Sequence, residues 1–186
     1  MDHKLRPTPH GTLAMLAAFA WFVCAAAPSA AAVVTFDPLN GVIIGPADTL
    51  TVDVTVDAGA TDLRGFTFVF EFDPLVVIPV SVVAGPLETG APCPRFFTWQ
   101  NETAVGDSIF ADGATLGCSV SGPGAFVRMR FVGVQQGLSP LRCRRGEFRD
   151  SQNQPIPHTC ESGTILYLGP TPATPASWGV VKSLYR

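Results

Sequence analysis

The side chains able to do chemistry in this 186-residue sequence are a set of carboxylates and, beyond the N-terminal segment, four of its five cysteines, one histidine and one mid-chain tryptophan. Glycoside hydrolysis needs two carboxyl groups facing each other across a cleft. Glu71, Asp73, Glu88, Glu102, Asp107, Asp112 and Glu161 are the candidates, and no motif pairs any two of them. Glu71 alternates onto an outward face, and Asp73 precedes Pro74 and closes a turn. A serine triad would have to use His158, which sits between Pro157 and Thr159 without a Gly-x-Ser-x-Gly elbow. It reads as a surface-loop histidine. Asp48, Asp53, Asp57 and Asp62 supply oxygens that a calcium ion would accept, but EF-hand spacing is absent and the alternation with threonine is that of a solubilised strand face. The expectation is a non-enzyme with no cofactor, calcium being the only ion to test for.

Cys93, Cys118, Cys143 and Cys160 form no Cys-x-x-Cys pair and have one histidine for company, which argues against zinc. An even number in an exported chain reads as two disulfides. Of the three connectivities, the sequential one, Cys93–Cys118 with Cys143–Cys160, closes each loop without threading the other. Each bridge contributes roughly 3–4 kcal/mol through loop-closure entropy.

Export is expected from the N-terminus. Lys4 and Arg6 precede an almost wholly apolar run over 12–27, and Ala30, Ala31 and Ala32 offer a small-residue cleavage site. The reading is a signal peptide over 1–32, cut after Ala32; the competing one is an uncleaved anchor reaching Val34. Cys24 follows Phe22 and Val23, too bulky for lipid attachment. After cleavage no membrane span remains. The rest is about one domain in length. Residues 33–112 hold eleven acidic and two basic side chains, and residues 113–186 hold three and eight. The basic residues are scattered rather than in domain-wide excess, so nucleic acid is not an expected partner.

The elements that would position these groups are strands. Phe66, Phe68, Phe70 and Phe72 alternate with Thr67, Val69, Glu71 and Asp73. A period of two marks a strand with one buried face. Four rings on one face need a second sheet opposite them. Segment 49–57 alternates in the same way, with Val52, Val54 and Val56 inward. Short strands are also expected at 33–37, 75–83, 96–100, 107–111, 125–134, 138–143, 146–149 and 164–168, with Pro79 marking an edge or bend and 85–94 a long turn. No helical periodicity extends over three turns, and the 18 glycines and 17 prolines punctuate the chain throughout. The fold class is all-β, a two-sheet antiparallel sandwich. Residues 169–176 form a Pro/Thr linker, and 177–186 a tail bearing Trp178, Val180, Val181, Leu184 and Tyr185. The tail resembles C-terminal tags of secreted bacterial proteins; docking back on the domain is the alternative.

Taken in order, the strands resemble a cohesin domain. The features are Gly45, Thr49, Val52, Val54 and Val56; then Phe68, Phe70, Phe72, Asp73 and Pro74; the turn at Ala84, Gly85, Pro86 and Leu87; Gly124 with Phe126, Val127, Arg128, Met129, Arg130 and Phe131; and Asp150 and Ile156 before Gly163, Thr164 and Ile165. The resemblance covers 33–168. It implies a jelly-roll of about nine strands, shared with carbohydrate-binding modules, and a protein partner, a calcium-loaded dockerin, on the outer face of the phenylalanine strand. In this sequence that face shows Gly65, Thr67, Val69 and Glu71, of which Thr67, Val69 and Glu71 are the candidate partner contacts. Carbohydrate binding is the alternative, with Trp99 as the stacking residue, although Phe97 and Trp99 share a face that is expected to be core. A small secreted hydrolase is the third reading. The expected location is extracellular or at a bacterial cell surface.

Overall fold

The computed structural model describes residues 31–101 and 106–170. Its elements run β1 (Ala32–Asp37), β2 (Asn40–Ile43), β3 (Thr49–Val56), β4 (Leu63–Glu71), β5 (Val77–Ala84), α1 (Pro86–Thr89), β6 (Arg95–Asn101), β7 (Ser108–Thr115), β8 (Gly124–Gly133), β9 (Gly137–Asp150), β10 (Pro155–Ile156), β11 (His158–Cys160) and β12 (Gly163–Tyr167). One sheet has the order β11-β1-β3-β8-β5, and the other β2-β12-β9-β4-β7-β6 with β10 beside β9. The result is a jelly-roll sandwich. Twelve strands appear among the described residues rather than nine. The sheets are mixed rather than antiparallel throughout: β11 lies parallel to β1, and β12 parallel to β2. The short strands β2, β10 and β11 escape sequence reading because pairing partners, not local alternation, make them strands.

The phenylalanine strand is the centre of the core. Phe66, Phe68, Phe70 and Phe72 are all at most 4% exposed. Phe126 of β8, in the facing sheet, lies 5.2 Å from Phe68 and 4.9 Å from Phe66, and Phe131 lies 5.7 Å from Phe72. Phe148 of β9 meets Phe68 at 4.8 Å. These separations suit edge-on and tilted aromatic packing. Two glycines make room for the rings. A Cβ on Gly146 would stand 2.2 Å from the Phe68 ring, and one on Gly113 would stand 2.6 Å from the Phe66 ring.

Sequence alternation suggests two strands at 138–143 and 146–149, but β9 is continuous. Its pairing with β4 slips between Val69 and Phe70, where Arg145 and Cys143 are the respective partners. The extra residue is a β-bulge that shifts the phase of alternation by one. Ser139 and Leu141 therefore face inward before it and Phe148 after it. Pro79 sits on edge strand β5, as expected, next to a register shift against β8. The 85–94 turn contains the short helix α1, with Pro86 at its start.

Both disulfides have the sequential pairing, with Cα–Cα distances of 6.0 Å for Cys93–Cys118 and 6.2 Å for Cys143–Cys160. The second ties β9 to β11, and so one sheet to the other. His158 is not a loop residue. It is half-buried in β11, 5.4 Å from the Phe68 ring and 5.3 Å from the Phe148 ring.

The two faces of β4 should therefore differ sharply in stability experiments. Phe68→Ala is expected to lower unfolding free energy by about 3–5 kcal/mol, and Thr67→Ala by less than about 1 kcal/mol. Urea denaturation with the disulfides intact checks this; equal losses would contradict the inside–outside assignment.

Candidate functional site

The outer face of β9, β4, β7 and β6 is assembled by register. Arg149, Gly65, Ala114 and Phe96 stand side by side across the four strands, and so do Glu147, Thr67, Asp112 and Thr98. Arg145, Val69, Phe110 and Gln100 make the next row, and Arg142, Glu71 and Ser108 the one after. Alternation along β4 accounts for this: with the rings turned inward, the residues between them must point out.

Intramolecular bonds hold the polar groups of this face. The Thr67 hydroxyl donates to Asp112 Oδ1 at 2.9 Å. Glu147 is ion-paired with Arg149, and Glu71 Oε1 lies 3.5 Å from Arg144 Nε. A groove of about 400 Å³ runs over Gly65 and Ala114 between Arg64, Arg149, Asp112 and Glu147. Gly65 leaves its floor open, since a Cβ there would come no closer than 3.4 Å to any neighbour. Thr67 and Glu147 also border a second depression that runs toward Pro155 and His158. At the end of the first groove the Ser151 hydroxyl donates to Asp62 Oδ2 at 2.5 Å. Hydroxyls of Ser119 and Ser151 hold the Asp62 carboxyl below the usual range.

Thr67 and Glu71 are thus partly exposed and on one face, as expected, but Val69 is not available to a partner. It points outward with 0% exposure, flanked in register by Phe110 and Arg145. Trp99 departs from its expected core position: it shares a face with Phe97, yet is 38% exposed because β6 is the sheet edge. Phe97 is the better buried of the two and lies 6.4 Å from Phe66. Phe96, 50% exposed, lies on the outer face, the side that alternation with Phe97 and Trp99 leaves to it. Sequence reading likewise missed Asp112 and Glu147 as neighbours of Thr67, because that proximity exists only through strand pairing.

Among the described residues, the candidate carboxylates that come together are engaged by other partners. Glu71, Asp73 and Asp107 border one depression with Arg142. Glu71 is ion-paired there, Asp73 accepts the Leu75 N–H, and Asp107 accepts the Ser108 hydroxyl. Glu102 lies outside the described residues. The four calcium candidates are dispersed: Asp48 bonds the Gly45 N–H, Asp53 holds Arg128, Asp57 accepts from Val33 and Gly59, and Asp62 is bound as above. Among the described residues, no three His, Cys, Asp or Glu side chains gather as metal ligands.

Glu88 lies behind this face. It is 1% exposed on α1, its Oε2 has no hydrogen-bond partner among the described residues, and it abuts the inner side of Gly113. Burial pushes its carboxyl up to about 7, with Arg95 pulling down and Asp112 pushing up.

No protein-family model and no curated protein matches the sequence. Solved structures do. A non-cellulosomal cohesin from Archaeoglobus fulgidus superposes with a TM-score of 0.61 at 15% identity, over 75% of this chain and 92% of that one. A type II cohesin domain from the cellulosome of Acetivibrio cellulolyticus gives 0.61 at 12% identity, over 74% and 95%. A type I cohesin–dockerin complex from Clostridium thermocellum gives 0.59 at 12% identity, over 75% and 95%. The fold of this chain is the cohesin fold.

The Glu88 environment makes stability depend on pH. Its folded pKa lies above its unfolded value, so the folded state holds the proton more tightly. Stability is then highest below the unfolded value of 4.5 and falls as pH rises toward 7. The loss is at most about 3–4 kcal/mol. Glu88→Gln should flatten this slope and raise stability at pH 8; an unchanged slope in urea melts across pH 4–8 would contradict the assignment.

Proposed function

We propose that this chain is an exported, non-catalytic binding module that takes a protein partner of dockerin type on the outer face of β9-β4-β7-β6. One observation carries the reading: Asp112, Thr67 and Glu147 stand fixed and solvent-facing on a fold shared with chains solved in complex with dockerins. Bonded polar groups on a rigid sheet lose little freedom on binding. Thr67 and Glu71 are the contact residues on β4, with Asp112 and Glu147 beside them. Calcium, in this reading, belongs to the partner.

Export is supported by the two disulfides, which persist in oxidising compartments. Among the described residues, no helix is long and apolar enough to cross a membrane. The proposed organisation is a leader, a domain over 33–168, a linker over 169–176 and a tail over 177–186; the last residues and most of the leader lie outside the described residues. Ala32 supports a cut one residue earlier than one placed after it. It is buried, it begins β1, and its N–H bonds the Pro157 carbonyl at 2.9 Å. A cut that leaves β1 whole falls before Ala32 rather than after it, which N-terminal sequencing of the exported chain checks.

The second reading, a carbohydrate-binding module, rests on the exposed Trp99. Its neighbours weaken it as a platform, since Phe96 lies on the opposite side of β6 and Phe97 is turned into the core.

A panel of calcium-loaded dockerin modules and a glycan array separate the two. The expected result is dockerin binding that weakens at least tenfold in a Thr67→Arg/Glu71→Arg double variant, with the melting temperature little changed and Trp99→Ala without effect. Glycan binding that is lost in Trp99→Ala would overturn the protein-partner reading.

A further inference from the structure

Among the described residues, the strand order of each sheet ends in two edges, and three of the four are guarded. β5 carries Pro79 and a broken register against β8. β2 is four residues long and contains Gly41. β11 is three residues long, follows Pro157, and is tied to β9 through Cys160. Proline, bulges and shortness are the devices that stop an edge from pairing with another chain.

β6 has none of them. It is seven residues long, Arg-Phe-Phe-Thr-Trp-Gln-Asn, without proline or glycine. It pairs with β7 at every residue with no register break. Its other side has no strand partner among the described residues. Six of its seven residues are exposed, and its β-branched and aromatic content favours extended pairing. Its single charge is Arg95.

We infer that β6 pairs antiparallel with β6 of a second copy of this chain, about a two-fold axis at Thr98. Residues opposite one another in an antiparallel pair share a face, so the axis must pass through a residue rather than between two. Centring on Thr98 is the one choice that pairs all seven residues. It sets Thr98 against Thr98, Phe97 against Trp99, Phe96 against Gln100 and Arg95 against Asn101. Two aromatic cross-strand pairs form and no like charges meet, the pattern that stabilises strand pairing. The strand is therefore complementary to itself, as an isologous contact requires.

The axis is perpendicular to the sheet. The two copies form one continuous sheet whose outer faces point the same way, so both Asp112–Thr67–Glu147 rows face a common side. A dimer would then present two binding faces together and gain avidity toward a multivalent partner. That consequence rests on the proposed function; the pairing itself does not.

Seven residues a side make a small interface, so dissociation is expected on the order of tens of micromolar. Sedimentation velocity on the full chain recovered from an exporting host, from about 1 µM to 1 mM, should show a reversible monomer–dimer equilibrium. Thr98→Lys and Thr98→Glu each place like charges opposite one another at the axis. Each should weaken the dimer at least tenfold while leaving the melting temperature within a few degrees, and an equimolar mixture of the two should dimerise again. Wild-type protein that stays monomeric throughout, or a dimer indifferent to both charges, would overturn the inference. Neither of those results bears on dockerin binding by the monomer, so the two proposals fail separately.

Discussion

The packing of the β4 phenylalanines against the facing sheet is the constraint on which the rest of the structure depends. Four rings from one strand cannot be buried by that strand's own sheet, so a second layer is obligatory. Phe126 and Phe131 supply that layer from β8, and Phe148 fills in from β9. The neighbours must also yield space: Gly113 and Gly146 lie against two of the rings because any side chain there would overlap them. With the inward side of β4 committed in this way, its outward side is fixed too. The position of Thr67 between Asp112 and Glu147 is thus a consequence of core packing, not an independent feature.

The bulge in β9 links the core to the charge pattern outside. It lets Cys143 reach β11 and Phe148 reach the core from the same strand, and it crowds Arg142, Arg144 and Arg145 beside Glu71 and Val69. The result is a face with an acidic and hydroxyl row at one level and the β9 arginines Arg145, Arg144 and Arg142 beyond it. Behind the acidic row, Glu88 is buried with no partner for Oε2 among the described residues, an unusual expense of stability in a small domain. Its proximity to Asp112 couples the electrostatics of the core to those of the outer face.

Much of this was legible in the sequence because it was written in local alternation. The β3 valines, the β4 phenylalanines and the inward residues of β8 all declare their faces with a period of two. The cysteine pairing followed from avoiding threading. What the sequence hid was everything set by pairing between distant strands. β2 and β11 exist because β12 and β1 lie beside them. His158 is held by aromatic rings more than eighty residues away in the case of Phe68. Val69 looks like a surface residue by alternation but is covered, and Trp99 looks like core by size but is exposed at an edge. The bulge in β9 broke the one signal available, so a single strand read as two.

The central claim is that the outer face of β9-β4-β7-β6 is where a partner binds. The most direct test is to titrate the isotope-labelled chain with calcium-loaded dockerin modules and map amide chemical-shift changes by NMR. The account predicts changes concentrated at Gly65, Thr67, Glu71, Asp112 and Glu147, with β1, β3 and β8 quiet. Changes confined to the β1-β3-β8-β5 sheet, or no change with any dockerin alongside movement of Trp99 on adding oligosaccharides, would contradict it.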